Sequence, residues 1–209
     1  MILDKRTNSI YEEKRTRSVF MAVTTRTNQL IKNIAPKPQQ WRWYHGVIFY
    51  AIVQVLTFGL SGLVSVIKGL TGKNLRENIF GNPAYFNELK QSIFAPPSWA
   101  FGPAWLINNI SVIWGTWRVL NKPGDTPGRT SFLALQGASW LNFVVFNAAY
   151  FSLRSPINAL VLTFMMFVLT ILSGMVAIFK IKDTAVALSL ATLFIWLMIA
   201  LTAAYFQAA

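Results

Sequence analysis

The residues best suited to binding another molecule are tryptophans and asparagines that recur at helical spacing inside apolar runs. Trp105 precedes Asn108 and Asn109 by three and four residues. Asn142 precedes Phe146 by four residues, and such pairs share one face of a helix. A pocket for a flat, mostly apolar molecule needs aromatic walls and a few neutral hydrogen-bonding groups. The spacing therefore predicts ligand binding within helices.

The same side chains also have a structural interpretation. An asparagine in lipid needs a hydrogen-bond partner, so Asn108, Asn109, Asn142 and Asn147 could equally hold neighbouring helices together. Tryptophans are also enriched where helices meet the lipid headgroups, as an alternative to lining a pocket. The residue types leave both interpretations open.

Catalytic chemistry is poorly represented. The chain has no cysteine and a single histidine, His45, at the edge of the first apolar run, where a histidine is more often an interface residue than a ligand. The acidic residues all fall in the N-terminal tail or in loops: Asp4, Glu12, Glu13, Glu77, Glu88, Asp125 and Asp183. General acid–base catalysis and proton relays through a membrane both need ionisable groups at the site. We therefore predict a protein without catalytic residues or a metal site.

The elements that position these residues are predicted to be membrane helices. Hydrophobic residues make up 54% of the chain and charged residues 12%, against about 25% charged in soluble domains. A spanning helix needs about 20 mostly apolar residues. Five runs without Asp or Glu meet this need, at about residues 45–67, 97–120, 132–153, 157–179 and 184–207. The predicted fold is an all-α bundle of five transmembrane helices.

The chain is predicted to have two parts, a basic extramembrane tail over residues 1–44 and a transmembrane domain over residues 45–209. The tail holds nine Lys or Arg residues, and the loops at the same end of a five-helix bundle add five, whereas the opposite end has five. By the positive-inside rule the N-terminus faces the cytoplasm or its organellar equivalent, and the C-terminus lies across the membrane. Anionic lipid or an acidic protein surface is the expected partner of the tail. Nucleic acid is not expected, because the basic residues are scattered.

Prolines mark the start of two spans. In APPSWAFGPAW, residues 95–105, Pro96 and Pro97 favour a rigid helix start, whereas Pro103 is expected inside the helix, where it would free a carbonyl group and bend the axis. In LRSP, residues 153–156, Pro156 is expected in the first turn of the next helix.

The segment YFNELKQSIFAPPSWAFGPAW, residues 85–105, resembles the most recognisable part of the TspO/MBR family, the tryptophan-rich sensory proteins related to the mitochondrial translocator protein. That family carries an aromatic, lysine-containing stretch leading into P-P-x-W-x-F-x-P-x-W. Five spans, the short LRSP loop and WLNFVVFNAAYF at residues 140–151 extend the resemblance over about residues 45–209.

The resemblance implies a cavity between the second helix, the third helix and the first loop. Its lining would include Trp99, Trp105, Asn142, Phe146 and Tyr150, and helical spacing adds Asn108 and Asn147 as candidates. The implied ligand is a porphyrin, a chlorophyll-type tetrapyrrole or a sterol, bound by a sensor or carrier that needs no cofactor. A homodimer is also implied.

A second interpretation is a non-catalytic accessory subunit of a larger membrane complex, photosynthetic or respiratory. Its basis is the basic tail and the long first loop, about residues 69–94, which the compact family core lacks. An enzyme that degrades a bound porphyrin is a third interpretation, and the scarcity of ionisable residues argues against it.

Overall fold

The computed structural model describes residues 40–209, and within this range the secondary structure is helical, without strands. The helices are α1 (Trp43–Ile67), α2 (Gly72–Phe80), α3 (Pro83–Glu88), α4 (Phe101–Leu120), α5 (Arg129–Asn147), α6 (Pro156–Met175), α7 (Thr184–Ser189) and α8 (Ala191–Ala208). The all-α prediction is confirmed for this part of the chain. Residues 1–39 of the predicted tail lie outside the described residues.

Four helical stretches are long and apolar enough to cross a membrane. They are Trp43–Ile67, Arg129–Ser152, Pro156–Ile181 and Thr184–Ala208. The second predicted span forms the 20-residue helix α4 but is not among the four. Its hydropathy is lowered by Asn108, Asn109 and Arg118. The chain is thus an integral, multi-pass membrane protein, and the predicted count of five spans is not confirmed.

Helix α1 has a pattern typical of membrane helices, in which small and polar residues face inward. On α1 the buried residues are Val53, Thr57, Ser61 and Ser65, spaced four apart. The rest of α1 exposes large apolar side chains, including Val55, Leu63 and Ile67. Lipid accepts apolar side chains, and small residues allow helices to approach closely. The outer faces of α1 are therefore suited to contact with acyl chains.

Two helices end in a wider, π-helical turn. Ala148–Ser152 continues α5, and Val176–Ile181 continues α6. In the first turn the N–H of Leu153 donates to the carbonyl of Ala148 at 2.9 Å, five residues back instead of four. Turns of this kind are often found at functional sites. The first one carries Tyr150.

The two proline-rich segments start helices. Ser98–Ala100 forms a 3₁₀ turn before α4, so Pro103 lies in the first turn of α4 and not in its interior. No hydrogen bond of α4 itself is lost there, because the first turn has no intrahelical acceptors for its N–H groups. Pro156 is the first residue of α6, and Ser155 Oγ accepts the N–H of Asn158 at 3.3 Å. The prediction for LRSP is confirmed.

The helices form one packed unit over residues 40–209. Helix α6 packs between α5 and α8, α1 packs against α2 and α5, and α4 packs against α7 and α8. Phe132, Val186 and Leu197 lie at the centre of the apolar core with almost no exposed surface. The first loop is not an open connection, because α2 and α3 lie within it.

Helices α4 and α7 approach each other more closely than a side chain at position 115 would permit. Ser111 Oγ donates to the carbonyl of Ser189 at 2.7 Å. A Cβ atom built on Gly115 would lie 1.9 Å from Ser189 Oγ and 2.9 Å from its Cβ. Glycine at position 115 is therefore a requirement of this contact.

An ion-pair cluster holds the C-terminal end of α4 to the start of α7. Asp183 Oδ2 lies 2.9 Å from Arg118 Nε and 2.8 Å from Lys122 Nζ, and Oδ1 accepts the N–H of Val186 at 3.3 Å. Burial of the carboxyl group raises its pKa, but the hydrogen bonds from Lys122 and Arg118 outweigh this effect and lower the pKa to about 2. Asp183 is therefore an ionised N-cap at neutral pH.

Trp41 ties the chain just before α1 to the end of α4. Asn121 Oδ1 accepts the N–H of Trp41 at 2.9 Å, and Asn121 Nδ2 donates to the carbonyl of Trp41 at 2.9 Å. Trp117 Nε1 donates to the same carbonyl at 2.6 Å. Three hydrogen bonds thus fix the backbone of Trp41 on the bundle.

Substitution Gly115→Ala is expected to destabilise the bundle, because overpacking a tight contact costs about 1–3 kcal/mol. The measurement is the unfolding temperature in detergent. Gly137→Ala is the control, since a Cβ there meets nothing within 4 Å. Adding Ser189→Gly to Gly115→Ala removes the obstructing atoms and is expected to recover part of the loss. Equal unfolding temperatures for the two alanine variants would contradict the contact.

Substitution Asp183→Asn is expected to lower the unfolding temperature at neutral pH but not in strong acid. The folded-state pKa is below the ordinary value of 3.8. The stabilisation is therefore complete above about pH 4 and is lost as the pH falls through about 2. The difference in unfolding temperature between Asp183→Asn and the natural chain should become smaller over that range. The control Asp125→Asn, in the exposed α4–α5 loop, should have nearly the same unfolding temperature as the natural chain at each pH. A difference independent of pH would refute the role of the ionised carboxyl.

Candidate ligand-binding cavity

A cavity of about 370 Å³ lies inside the bundle. This volume falls within the range of about 300–1,000 Å³ for small-molecule sites. Its walls come from α1, the first loop, α4, α5 with its π-helical turn, α6 and α8. The lining is mainly apolar and rich in aromatic rings, among them Tyr50, Phe58, Trp105, Phe143, Phe146 and Trp196.

Edge-to-face ring contacts make one wall of the cavity. Trp105 lies 5.2 Å from Phe143 and 6.5 Å from Trp196, measured between ring centroids. Trp196 also meets Phe101 at 5.3 Å. Such pairs add about 0.5–1.5 kcal/mol each beyond the burial of their area. The rings of α4, α5 and α8 therefore hold one another in place around the cavity.

The first loop closes one end of the cavity. Phe86 packs on Phe101 at 4.8 Å, and Tyr85 lies 5.5 Å from Tyr150. Arg154 lies over the Tyr85 ring at 5.4 Å from its centroid, a cation–π contact. Burial raises the pKa of the Tyr85 hydroxyl, although the nearby charge of Arg154 lowers it in part. The hydroxyl is therefore neutral at physiological pH.

The structure brings four of the seven predicted site residues to the cavity: Trp105, Phe146, Asn147 and Tyr150. The other three are not among its lining residues. Trp99 is 75% exposed on the 3₁₀ turn before α4, and Asn108 and Asn142 are buried between helices. A role of any of the seven in binding stays a prediction.

Asn147 is engaged by the protein itself. Its Nδ2 atom donates to Ser61 Oγ at 2.9 Å and to the carbonyl of Ile79 at 2.8 Å. Ser152 Oγ donates to the carbonyl of Ser61 at 3.0 Å, and Ser65 Oγ donates to Ser152 Oγ at 2.9 Å. We call these five residues the Asn147 network. It joins α1, α2 and the end of α5.

Two further candidates also bond within the bundle. Asn142 Nδ2 donates to the carbonyl of Leu162 at 2.7 Å, which connects α5 to α6. The hydroxyl of Tyr150 donates to Gln207 Oε1 at 2.6 Å, which connects the π-helical turn to α8. For Asn142 and Asn147, the structural interpretation of the sequence therefore has direct support in these contacts.

The sequence reasoning missed the contribution of α8. Trp196, Ala200, Ala203 and Gln207 all line the cavity and are spaced by four, three and four residues. That spacing places small residues between two larger polar ones on a single helical face. The signal was present in the sequence but lies outside the motif that carried the resemblance.

This geometry defines a multi-pass helical membrane protein with an aromatic-lined cavity between its helices. The family model described as "TspO/MBR family" matches residues 55–208, and the chain belongs to that family. The resemblance first read in residues 85–105 is thereby confirmed. No individual curated protein matches the chain.

Substitution Asn147→Leu is expected to loosen the first loop, because the carbonyl of Ile79 loses its donor. A buried polar group without a partner costs about 1–3 kcal/mol. Hydrogen–deuterium exchange of residues 72–88 should become faster, and the unfolding temperature should fall. Asn158→Leu, an exposed asparagine of α6, is the control. Unchanged exchange in the loop would show that the Asn147 network does not hold it.

Proposed function

We propose that the chain binds a flat, largely apolar ligand of the tetrapyrrole or sterol class in the cavity and acts as a sensor or carrier. The observation that carries the proposal is the cavity itself, with aromatic walls and neutral amide groups. Flat ring systems gain most from such walls, since both faces can contact aromatic or aliphatic side chains. Membership of the TspO/MBR family supports the same conclusion.

The proposal includes no catalytic step. Within residues 40–209, the side chains lining the cavity include no Asp, Glu, His, Lys or Arg. His45 lies in the first turn of α1, where Nδ1 accepts the N–H of Arg42 at 2.9 Å, and it is not a lining residue. General acid–base chemistry needs a positioned proton donor or acceptor. Binding and release of an unchanged ligand fit these residues better than porphyrin breakdown.

We also propose that α4 crosses the membrane as a fifth span. It is 20 residues long, packs against α7 and α8, and exposes Leu106, Ile107 and Ile110 on its outer side. Its asparagines are buried within the bundle, away from lipid. A polar inner face lowers the mean hydropathy of a helix without preventing its insertion beside partner helices.

With five spans, the end of the bundle that carries Trp41 is proposed to face the cytoplasm or its organellar equivalent. The contacts of Trp41 with Asn121, and of Asp183 with Arg118, bring three chain segments together at this end. Basic residues cluster there: Arg42, Arg118, Lys122, Arg129, Lys180 and Lys182. Anionic lipid headgroups are suitable partners for such a surface.

We propose as the alternative a non-catalytic accessory subunit of a larger photosynthetic or respiratory complex. The nine Lys or Arg residues of the predicted tail, residues 1–44, would dock on an acidic protein surface of that complex. The long first loop is the second feature that supports this alternative. A homodimer is a further possible assembly, implied by the family.

Substitution Ala200→Trp is expected to abolish ligand binding by filling the cavity. The full chain in lipid nanodiscs is titrated with protoporphyrin dimethyl ester or cholesterol, and saturable binding is measured by tryptophan fluorescence and by equilibrium separation. Ala138→Trp, on the exposed side of α5, is the matched control and should bind as the natural chain does. Binding that survives Ala200→Trp would place the ligand elsewhere.

A second experiment tests the accessory subunit. The natural chain would bind neither ligand and would be recovered from native membranes in a larger complex. Deletion of residues 1–39 would abolish that recovery.

A further inference from the structure

The polar atoms around the cavity indicate which chemical group the ligand must carry. We propose that Asn109 on α4, with Trp196 and Gln207 on α8, selects ligands that bear uncharged hydrogen-bond acceptors such as ketone, ester or amide carbonyls. This inference rests on the proposed binding function and specifies the ligand class for the same cavity.

Three lining side chains carry a buried N–H group with no hydrogen-bond partner among residues 40–209: Asn109 Nδ2, Trp196 Nε1 and Gln207 Nε2. Asn109 is only 5% exposed. Folded proteins leave few buried donors unpaired, because each costs about 1–3 kcal/mol. Acceptor groups of a ligand inside the cavity, one near each donor, would satisfy them.

Several other polar groups at the cavity are already used. Asn147 donates to Ser61 and Ile79, and Thr163 Oγ1 donates to the carbonyl of Ala159 at 2.7 Å. The hydroxyl of Tyr150 donates to Gln207 Oε1. Among residues 40–209, the buried lining atoms without a hydrogen-bond partner are all donors, so their unmet demand is for acceptors.

The indole nitrogen of Trp196 can only donate, so its chemical sense is fixed. In this structure Gln207 Oε1 accepts from the Tyr150 hydroxyl, which leaves Nε2 as the unpaired donor. Asn109 and Gln207 can each turn the amide by half a rotation, since a tyrosine hydroxyl accepts as well as donates. Trp196 therefore sets the requirement for an acceptor. Gln207 lies eleven residues further on, about 16 Å along the helix.

Charge excludes an anionic acceptor at these donors. The described lining residues include no Lys, Arg or His that could pair with a carboxylate. Burying a carboxylate without a counter-ion is much more costly than burying a neutral carbonyl that accepts a hydrogen bond. The preferred ligand therefore presents neutral carbonyl groups to α8.

Three porphyrins of the same ring size test the requirement for an acceptor and the exclusion of charge separately. Etioporphyrin has alkyl substituents, mesoporphyrin dimethyl ester adds neutral carbonyl acceptors, and mesoporphyrin free acid replaces these with carboxylates. Dissociation constants are measured with the full chain in nanodiscs, each corrected for partition into empty nanodiscs. The ester is expected to bind about tenfold more tightly than either other porphyrin.

Substitution Trp196→Phe keeps an aromatic ring and removes the N–H group. It is expected to weaken ester binding by about two- to tenfold, the effect of one neutral hydrogen bond, while etioporphyrin binding stays unchanged. Trp114→Phe, at a partly exposed residue of α4 outside the lining, is the matched control and should alter neither. Asn109→Leu is a second variant in case Trp196→Phe does not fold, and it should weaken ester binding alone.

The outcomes separate the inference from the function on which it rests. Equal affinities for the ester and etioporphyrin in the natural chain, unaffected by Trp196→Phe or Asn109→Leu, would overturn the acceptor requirement and leave the binding function intact. Tighter binding of the free acid would overturn the exclusion of charge. If none of the three porphyrins or cholesterol binds, the proposed function fails and the inference fails with it.

Discussion

Asn147 donates two hydrogen bonds, and through them three parts of the chain meet at one end of the cavity. Within the hydrocarbon core of a bilayer no water is present to hydrogen-bond a polar group, so its hydrogen-bond partner must come from the protein. The serines of α1 and Ser152 meet that condition for one another, and the carbonyl of Ile79 draws the first loop into the same arrangement. The closed end of the cavity and the packing of α2 on the bundle both depend on this requirement.

The same requirement leaves few polar groups free to meet a ligand. Asn142, Asn147 and Tyr150 are engaged in holding helices together. Aromatic rings make the walls, and several of them are held by a ring from a different helix. If the cavity binds a ligand as proposed, recognition falls to side chains whose donors the fold does not use. The polar groups that stabilise the bundle would then be distinct from the polar groups that select the ligand, although both are buried.

Much of the fold could be predicted because length and apolarity define membrane helices. The LRSP turn and the start of α4 followed from the backbone properties of proline. The sequence does not predict which neighbouring helix each asparagine faces. Lipid and core both accept apolar side chains, so the distribution of apolar residues around a membrane helix does not define which side of the helix faces the core. Asn142 and Asn147 were placed correctly on α5, yet one meets α6 and the other the first loop. The position of Trp196 in the cavity wall could not be predicted either, because α8 is apolar on almost all of its faces.

The π-helical turn at Ala148–Ser152 has a consequence for how this chain is compared with its relatives. Its closing bond spans five residues where an α-helix spans four, so the turn holds one residue more. A relative with an ordinary α-helix at this place can present the same faces before and after it with a chain one residue shorter. An alignment of the two sequences then needs a one-residue gap inside a helix. An alignment that permits gaps only in loops will displace every residue from Tyr150 to the LRSP turn by one position.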